Sequence, residues 1–168
     1  WGEAAVLIFV YSLGDVLGRR IGSVPDMIKR HNAMLTADYN QRILAEKRNI
    51  RIGLPMVLEF WESIPYWRAL FTALGFEVVL SRKSSYPLFE KGLKGIPSDT
   101  VCFPAKLGHG HVQDLIERKV DRIFWPMVIR LPQKNRTAQG SEMCPVVQGY
   151  PMVVEKSDEP LARHGIPL

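Results

Sequence analysis

The sequence predicts an α/β fold: a doubly wound, three-layer domain with a mainly parallel sheet, preceded by a helical segment. From residue 49 onward, short apolar runs alternate with amphipathic stretches of helical period, the pattern of strand-helix-strand crossovers with helices on both sheet faces. Before that point the apolar spacing is helical only. The length of 168 residues sets the scale, since it suffices for one well-buried core with a segment appended. The expected organisation is a helical segment over 1–48, an α/β domain over 49–156 and an irregular tail over 157–168.

The elements follow in order. Ala4, Leu7, Ile8, Tyr11, Val16 and Leu17 keep an approximate helical period that Gly18 can end. A second helix is expected from Ser23, with Pro25 in its first turn, Asp26 three residues after the cap and His31 on its apolar side. Strand 50–54 comes next, then a helix capped by Ser63 with Pro65 near its start, ending at Gly75. Strand 76–80 leads to a short helix opened by Ser84 or Ser85 and closed by Gly92. A third strand is expected over 100–103, a helix over 105–118 and a fourth strand over 120–125. Residues 133–141 read as a long polar loop.

Composition narrows the classes. Two cysteines in a chain of this size make no disulfide framework, and no cleavable signal is visible, so a reducing, cytoplasmic compartment is expected. The longest apolar run, 4–11, is far short of the roughly 20 residues that cross a bilayer. The chain begins with Trp1 rather than Met and reads as a fragment or processed product with a partner surface upstream. A net charge of +5 permits attraction to phosphates or acidic partners. Its basic residues fall in scattered pairs such as Arg19-Arg20 and Arg82-Lys83 with no nucleic-acid motif, so neither nucleic acid nor membrane is expected as a partner.

In an open parallel sheet, ligands bind outside the carboxyl ends of the strands. That edge is expected to carry residues 55–62, 81–85, 102–111 and 126–132, with Cys144 folding back to the same rim. Cys102 falls just ahead of a helix start, where unsatisfied N–H groups and the helix dipole favour a thiolate, the form that binds iron or zinc. Free cysteine also serves as a small buried hydrophobe, and both readings stand at this point. The Cys102–Cys144 spacing matches no CxxC pair or ferredoxin run, so these residues alone do not make a self-contained cluster. His109 and His111 flank Gly110. On a regular helix their directions diverge by about 200°, which prevents joint ligation. Lys106 in a first helical turn opposes the dipole and points to an anionic partner or an acidic neighbour. Glu59 and Glu62 read as solvated.

Several ordered motifs carry a resemblance: Ile52-Gly-Leu-Pro-Met-Val-Leu58, Pro65-Tyr-Trp67, Leu74-Gly-Phe-Glu-Val-Val-Leu-Ser81, Ile96-Pro-Ser98, Val101-Cys-Phe-Pro-Ala-Lys-Leu107, His109-Gly-His111, Cys144-Pro-Val-Val147 and Gly149-Tyr-Pro151. Over about residues 50–155 the chain closely resembles the domain of acyl-CoA dehydratase activase-related proteins, relatives of the 2-hydroxyacyl-CoA dehydratase system of anaerobic metabolism. The resemblance implies a Rossmann-like domain in which cysteines from neighbouring subdomains hold a [4Fe-4S] cluster beside a coenzyme A thioester. It implies Cys102 and Cys144 as cluster ligands, with the remaining ligands outside this chain. From the residues themselves, Lys106, His109 and His111 on the 102–111 segment are the expected cofactor-binding residues, for an anionic ligand such as coenzyme A. The implied function is part of ATP-driven electron transfer, with the rest of a larger protein or dehydratase and activator subunits as partners. The chain departs from the family where a cysteine follows the fourth strand: it has Trp125-Pro126-Met127 there, and methionine is a poor ligand for iron. No glycine-rich phosphate loop precedes residue 50. The alternatives are a non-catalytic assembly module and an acyl-CoA-binding domain without a cluster.

Overall fold

A computed structural model describes residues 26–37, 43–132 and 140–168. The chain divides into two compact units, Trp1–Met34 and Leu35–Leu168. Most of helix α1 (Met27–Thr36) lies in the first. Asp26 accepts a hydrogen bond from the Lys29 N–H at 2.9 Å and so satisfies one of the helix's orphan donors. The helix expected over 4–18 and the Ser23 cap fall outside the described residues.

The second unit is α/β and Rossmann-like. In chain order it comprises β1 (Arg51–Leu54), α2 (Phe60–Ala73), β2 (Glu77–Leu80), α3 (Tyr86–Gly92), a 3-10 turn (Leu93–Gly95), α4 (Phe103–Glu117), β3 (Arg122–Ile123), α5 (Pro145–Asp158) and α6 (Pro160–His164). The strands form one parallel sheet in the order β2-β1-β3, with Gly53 paired to Val79 on one side and Ile123 on the other. β1 is central because Ile52, Gly53 and Leu54 are all buried, the signature of a strand covered on both faces. α4 presses directly on it: a Cβ at Gly53 would meet Leu115 and Val120 at 3.0–3.1 Å. Trp67 and Phe71 of α2 pack tilted and edge-on against Phe124 just beyond β3, at centroid distances of 4.6 and 5.0 Å. Among the described residues no helix is long and apolar enough to cross a membrane.

The structure corrects four expectations. There is no strand over 100–103. Ser98 and Thr100 hydroxyls meet at 2.8 Å and the Thr100 N–H donates to Ser98 Oγ, holding a turn, and Pro104 then pre-sets the first turn of α4. The fourth strand shrinks from six residues to Arg122–Ile123, because Pro126 has no N–H with which to extend a ladder. α2 starts at Phe60, ahead of Ser63, and encloses Pro65. Ser63 donates backward to the Phe60 carbonyl at 3.1 Å instead of capping.

The tail is ordered as well. α5 continues to Asp158, Glu159 breaks it at φ 48°, and Pro160 starts α6, which ends at Gly165 with φ 69°. The chain then returns to the sheet, where the Ile123 N–H donates to the Pro167 carbonyl at 2.8 Å. This satisfies a donor on the free side of β3.

α3 and α4 touch backbone to backbone. A Cβ on Gly110 would lie 2.2 Å from the Leu88 carbonyl oxygen, and one on Gly92 would lie 2.2 Å from the Gly110 nitrogen. Neither neighbour is a flexible side chain, so the helices would have to separate. Gly110→Ala is therefore expected to destabilise the chain by about 2–3 kcal/mol in urea unfolding. A loss under half a kcal/mol would show that the crossing is loose.

Candidate functional site

The carboxyl edge of the sheet gathers the loop after β1, residues 81–85 after β2, and the start of α4. Behind it α4 presents two buried histidines to two different layers. His109 and His111 are both fully inaccessible.

His111 faces the β2 loop. Its Nδ1 lies 2.7 Å from Ser81 Oγ and its Nε2 lies 3.0 Å from Ser84 Oγ, while the Met56 N–H donates to Ser81 Oγ at 2.8 Å. Counting donors assigns the tautomer. Buried Ser81 accepts from Met56 and donates to Nδ1, so Nε2–H donates to Ser84 and the Ser84 hydroxyl proton is left to point outward. The ring is held neutral. Burial pushes its pKa down to about 4, against a smaller upward pull from Asp114. Asp114, also buried, accepts from the Arg82 N–H at 2.9 Å and pairs with the Arg82 guanidinium at 3.5 Å, which fastens the 81–85 loop to α4.

His109 faces α5. Its Nδ1 lies 2.8 Å from Asp158 Oδ1 and its Nε2 lies 3.0 Å from the Tyr150 hydroxyl. With the carboxylate accepting from Nδ1–H, Nε2 of a neutral ring accepts from the phenol. Asp158 Oδ2 is buried without a hydrogen-bond partner. The Tyr150 pKa is raised, first by burial, then by Asp158, then by Cys102.

Both cysteines are exposed and free, and both are N-cap residues, Cys102 of α4 and Cys144 of α5. Cys144 Sγ accepts from the Val147 N–H at 3.5 Å. The residues beside them, Val101 and Pro145, line one groove of about 390 Å³ together with Pro97, Ser98, Val146, Gly149, Tyr150 and Val153. Among the described residues no three His, Cys, Asp or Glu side chains gather as a metal site. The two cysteines of this sequence are at most two of the four thiolates that such a cluster takes. Lys106 donates to the Asp99 carbonyl at 2.8 Å, a backbone acceptor where an acidic side chain was one expectation. Glu59 is half-buried with its Oε2 unpartnered, and burial followed by Glu62 raises its pKa, so it is not the solvated acid expected.

The structure thus sends the two histidines to different partners, His109 to Tyr150 and Asp158 of α5 and His111 to Ser81 and Ser84, while Cys102 and Cys144 stand as exposed N-caps of α4 and α5. Sequence reasoning missed Tyr150 and Asp158 as partners of His109, which lie 41 and 49 positions away. The available signal was the spacing of Tyr150, Val154 and Asp158, a buried helical stripe running into a tail read as irregular.

Comparison with protein families decides the relationship. The model described as the CoA enzyme activase uncharacterised domain (DUF2229) matches residues 51–167. The chain belongs to that family. Neither the curated proteins nor the solved structures give a match. In this CoA enzyme activase domain the match begins at β1 and ends at the strap along β3, so it takes in both histidine networks and both cysteines.

The domain's acid stability follows from His111. Its folded pKa of about 4 lies below the ordinary 6.5, so the unfolded chain binds the extra proton. Stability is fully present above pH 6.5 and is lost as pH falls toward 4, by up to about 3 kcal/mol. Unfolding free energies across that window in the wild type and in His111→Gln check this, with the variant expected to show the flatter profile. The other network gives a mutational prediction. His109→Leu strands the Asp158 carboxylate and is expected to cost about 3–5 kcal/mol; His109→Leu combined with Asp158→Leu is expected to recover part of that in the same denaturation assay.

Proposed function

We propose that this domain supplies two thiolates, from Cys102 and Cys144, to a [4Fe-4S] cluster completed by residues outside this chain, beside an acyl-CoA thioester. The reading is supported by two features: both cysteines are exposed N-caps, Cys102 of α4 and Cys144 of α5, and their sequence neighbours Val101 and Pro145 line one groove. Helix N-termini favour anionic thiolates and offer N–H donors to cluster sulfur. The family membership supports coenzyme A chemistry. Within an acyl-CoA dehydratase system, the cluster would supply single electrons to the thioester through ATP-driven transfer, and the protein would hold and tune it.

The chain's own residues have definable parts in this reading. Cys102 and Cys144 bind metal. His109 orients the Tyr150 phenol, His111 orients the Ser84 hydroxyl, and Lys106 lies near the start of the same helix. Arg82 and Lys83 on the exposed 81–85 loop are suited to the phosphates of coenzyme A. The remaining ligands and the ATPase would come from partner subunits or other parts of a larger protein in the cytoplasm.

A second reading, an acyl-CoA-binding domain without a cluster, is favoured by Met127 at the departure from the family pattern. Anaerobic reconstitution with ferrous iron, sulfide and a small thiol to complete the coordination separates the two. The wild type is expected to acquire bound iron, sulfide and thiolate-to-iron absorption. Cys102→Ser and Cys144→Ser are each expected to lose most of both. A wild-type chain that stays colourless and iron-free, while thermal shift shows stabilisation by acyl-CoA, would overturn the cluster and retain the thioester site.

A further inference from the structure

The groove lined by Val101 and Pro145 contains a glycine that the protein's own packing does not require. Gly149 lies inside α5, where glycine is less favourable than alanine because it loses more backbone freedom. The glycines of the other long helix have an internal cause. Gly108 lies against the Trp125 ring, where a Cβ would come within 2.5 Å, and Gly110 lies against the Leu88 carbonyl. At Gly149 an added Cβ meets nothing within 4 Å, and its φ is not positive. The residue is nonetheless half-buried and lines the groove.

The surroundings define the occupant. Val146, Gly149 and Val153 form one stripe of α5 facing Pro97 and Val101, with Pro145 at the cysteine end. The one phenol in this wall is turned inward, its hydroxyl 3.0 Å from His109. A second hollow of about 420 Å³ shares Pro97 and Val153 with the first and is lined also by Met152, Lys156 and Ser157. The walls are thus aliphatic along the stripe, and a cation stands at the far end. From Val146 to Val153 the helix rises roughly 10 Å. Protein interfaces take about 1,200–2,000 Å²; a trough of this size suits a small molecule.

We infer that the groove seats the short aliphatic chain of an acyl group with an anionic head, the chain lying against the bare backbone of Gly149 and the head toward Lys156. The inference rests on the thioester reading above and adds to it where the acyl portion lies and which residue makes room for it. The anionic head can belong to coenzyme A or to a free carboxylate, and the test separates them.

The test is calorimetric titration of the full chain with coenzyme A, butyryl-CoA, hexanoyl-CoA, hexanoate and the hexanoyl thioester of N-acetylcysteamine. Affinity is expected to rise roughly fourfold for each methylene buried. Gly149→Ala is expected to raise Tm and yet weaken hexanoyl-CoA binding about tenfold, equivalent to 1.4 kcal/mol; Gly149→Leu is expected to remove the dependence on chain length. Opposite signs on stability and binding are what a merely structural glycine would not give. Acyl probes bound without chain-length dependence, or Gly149→Ala binding like wild type, would overturn the groove assignment and leave the coenzyme A reading intact. Length-dependent, Gly149-sensitive binding of hexanoate and the truncated thioester, with no gain from the nucleotide, would uphold the groove and overturn the coenzyme A reading. No binding of any acyl probe would overturn both.

Discussion

The backbone contact between α3 and α4 is the constraint on which the site depends. Gly92 and Gly110 let the two helices meet without side chains between them, which fixes both the distance and the rotation of α4. Gly108, seated on Trp125, fixes the same helix against the end of the sheet. Once α4 cannot turn, the residues alternating with these glycines have no freedom of direction. His109 must face α5 and His111 must face the β2 loop, about 200° apart on the helix. A Gly-His-Gly-His run at 108–111 therefore serves as a two-sided fastener: each glycine closes a contact, and each histidine reaches a different layer.

Each histidine also meets a buried carboxylate from its own side, and the two cases differ. Asp158 bonds directly to His109 and keeps one oxygen unpartnered, so α5 is tied to α4 by a charge that is costly to strand. Asp114 acts on His111 only through its field, because its hydrogen bonds go to Arg82. The outcome is a rigid polar interior behind an open rim. Ser84 is the exposed hydroxyl through which His111 approaches that rim, the Tyr150 phenol is held inward on His109, and the N-cap cysteines are exposed. Preorganisation of this kind is what a site needs if its outer ligands come from another chain.

Much of the fold was legible in sequence because it rests on local signals. The alternation after residue 49 announced the parallel sheet, and Ser85, Gly92 and Gly75 punctuated helices within a residue or two of their observed ends. What failed was decided by tertiary context. Residues 100–103 carry strand-forming letters, but they have no neighbouring strand to pair with and a proline that starts a helix. The two-residue β3 shows the reverse case: Val120 and Trp125 are buried as a strand pattern demands, yet the ladder stops between them. Cys102 was legible as a helix-capping thiol, and the divergence of His109 from His111 followed from helical geometry. Their partners were not legible, since Asp158 lies 49 residues from His109 and no local pattern joins them. Gly149 carried no signal of its own, because an open position and a packed one look alike in sequence.

The central claim is that Cys102 and Cys144 act as one site at the rim of this CoA enzyme activase domain. A bifunctional thiol reagent whose two arms react only with neighbouring sulfurs tests this most directly, read by intact-mass spectrometry of the native chain. The account predicts a single bridged adduct joining Cys102 to Cys144, lost in either serine variant and in the unfolded protein. Two separately alkylated cysteines and no bridge would contradict it.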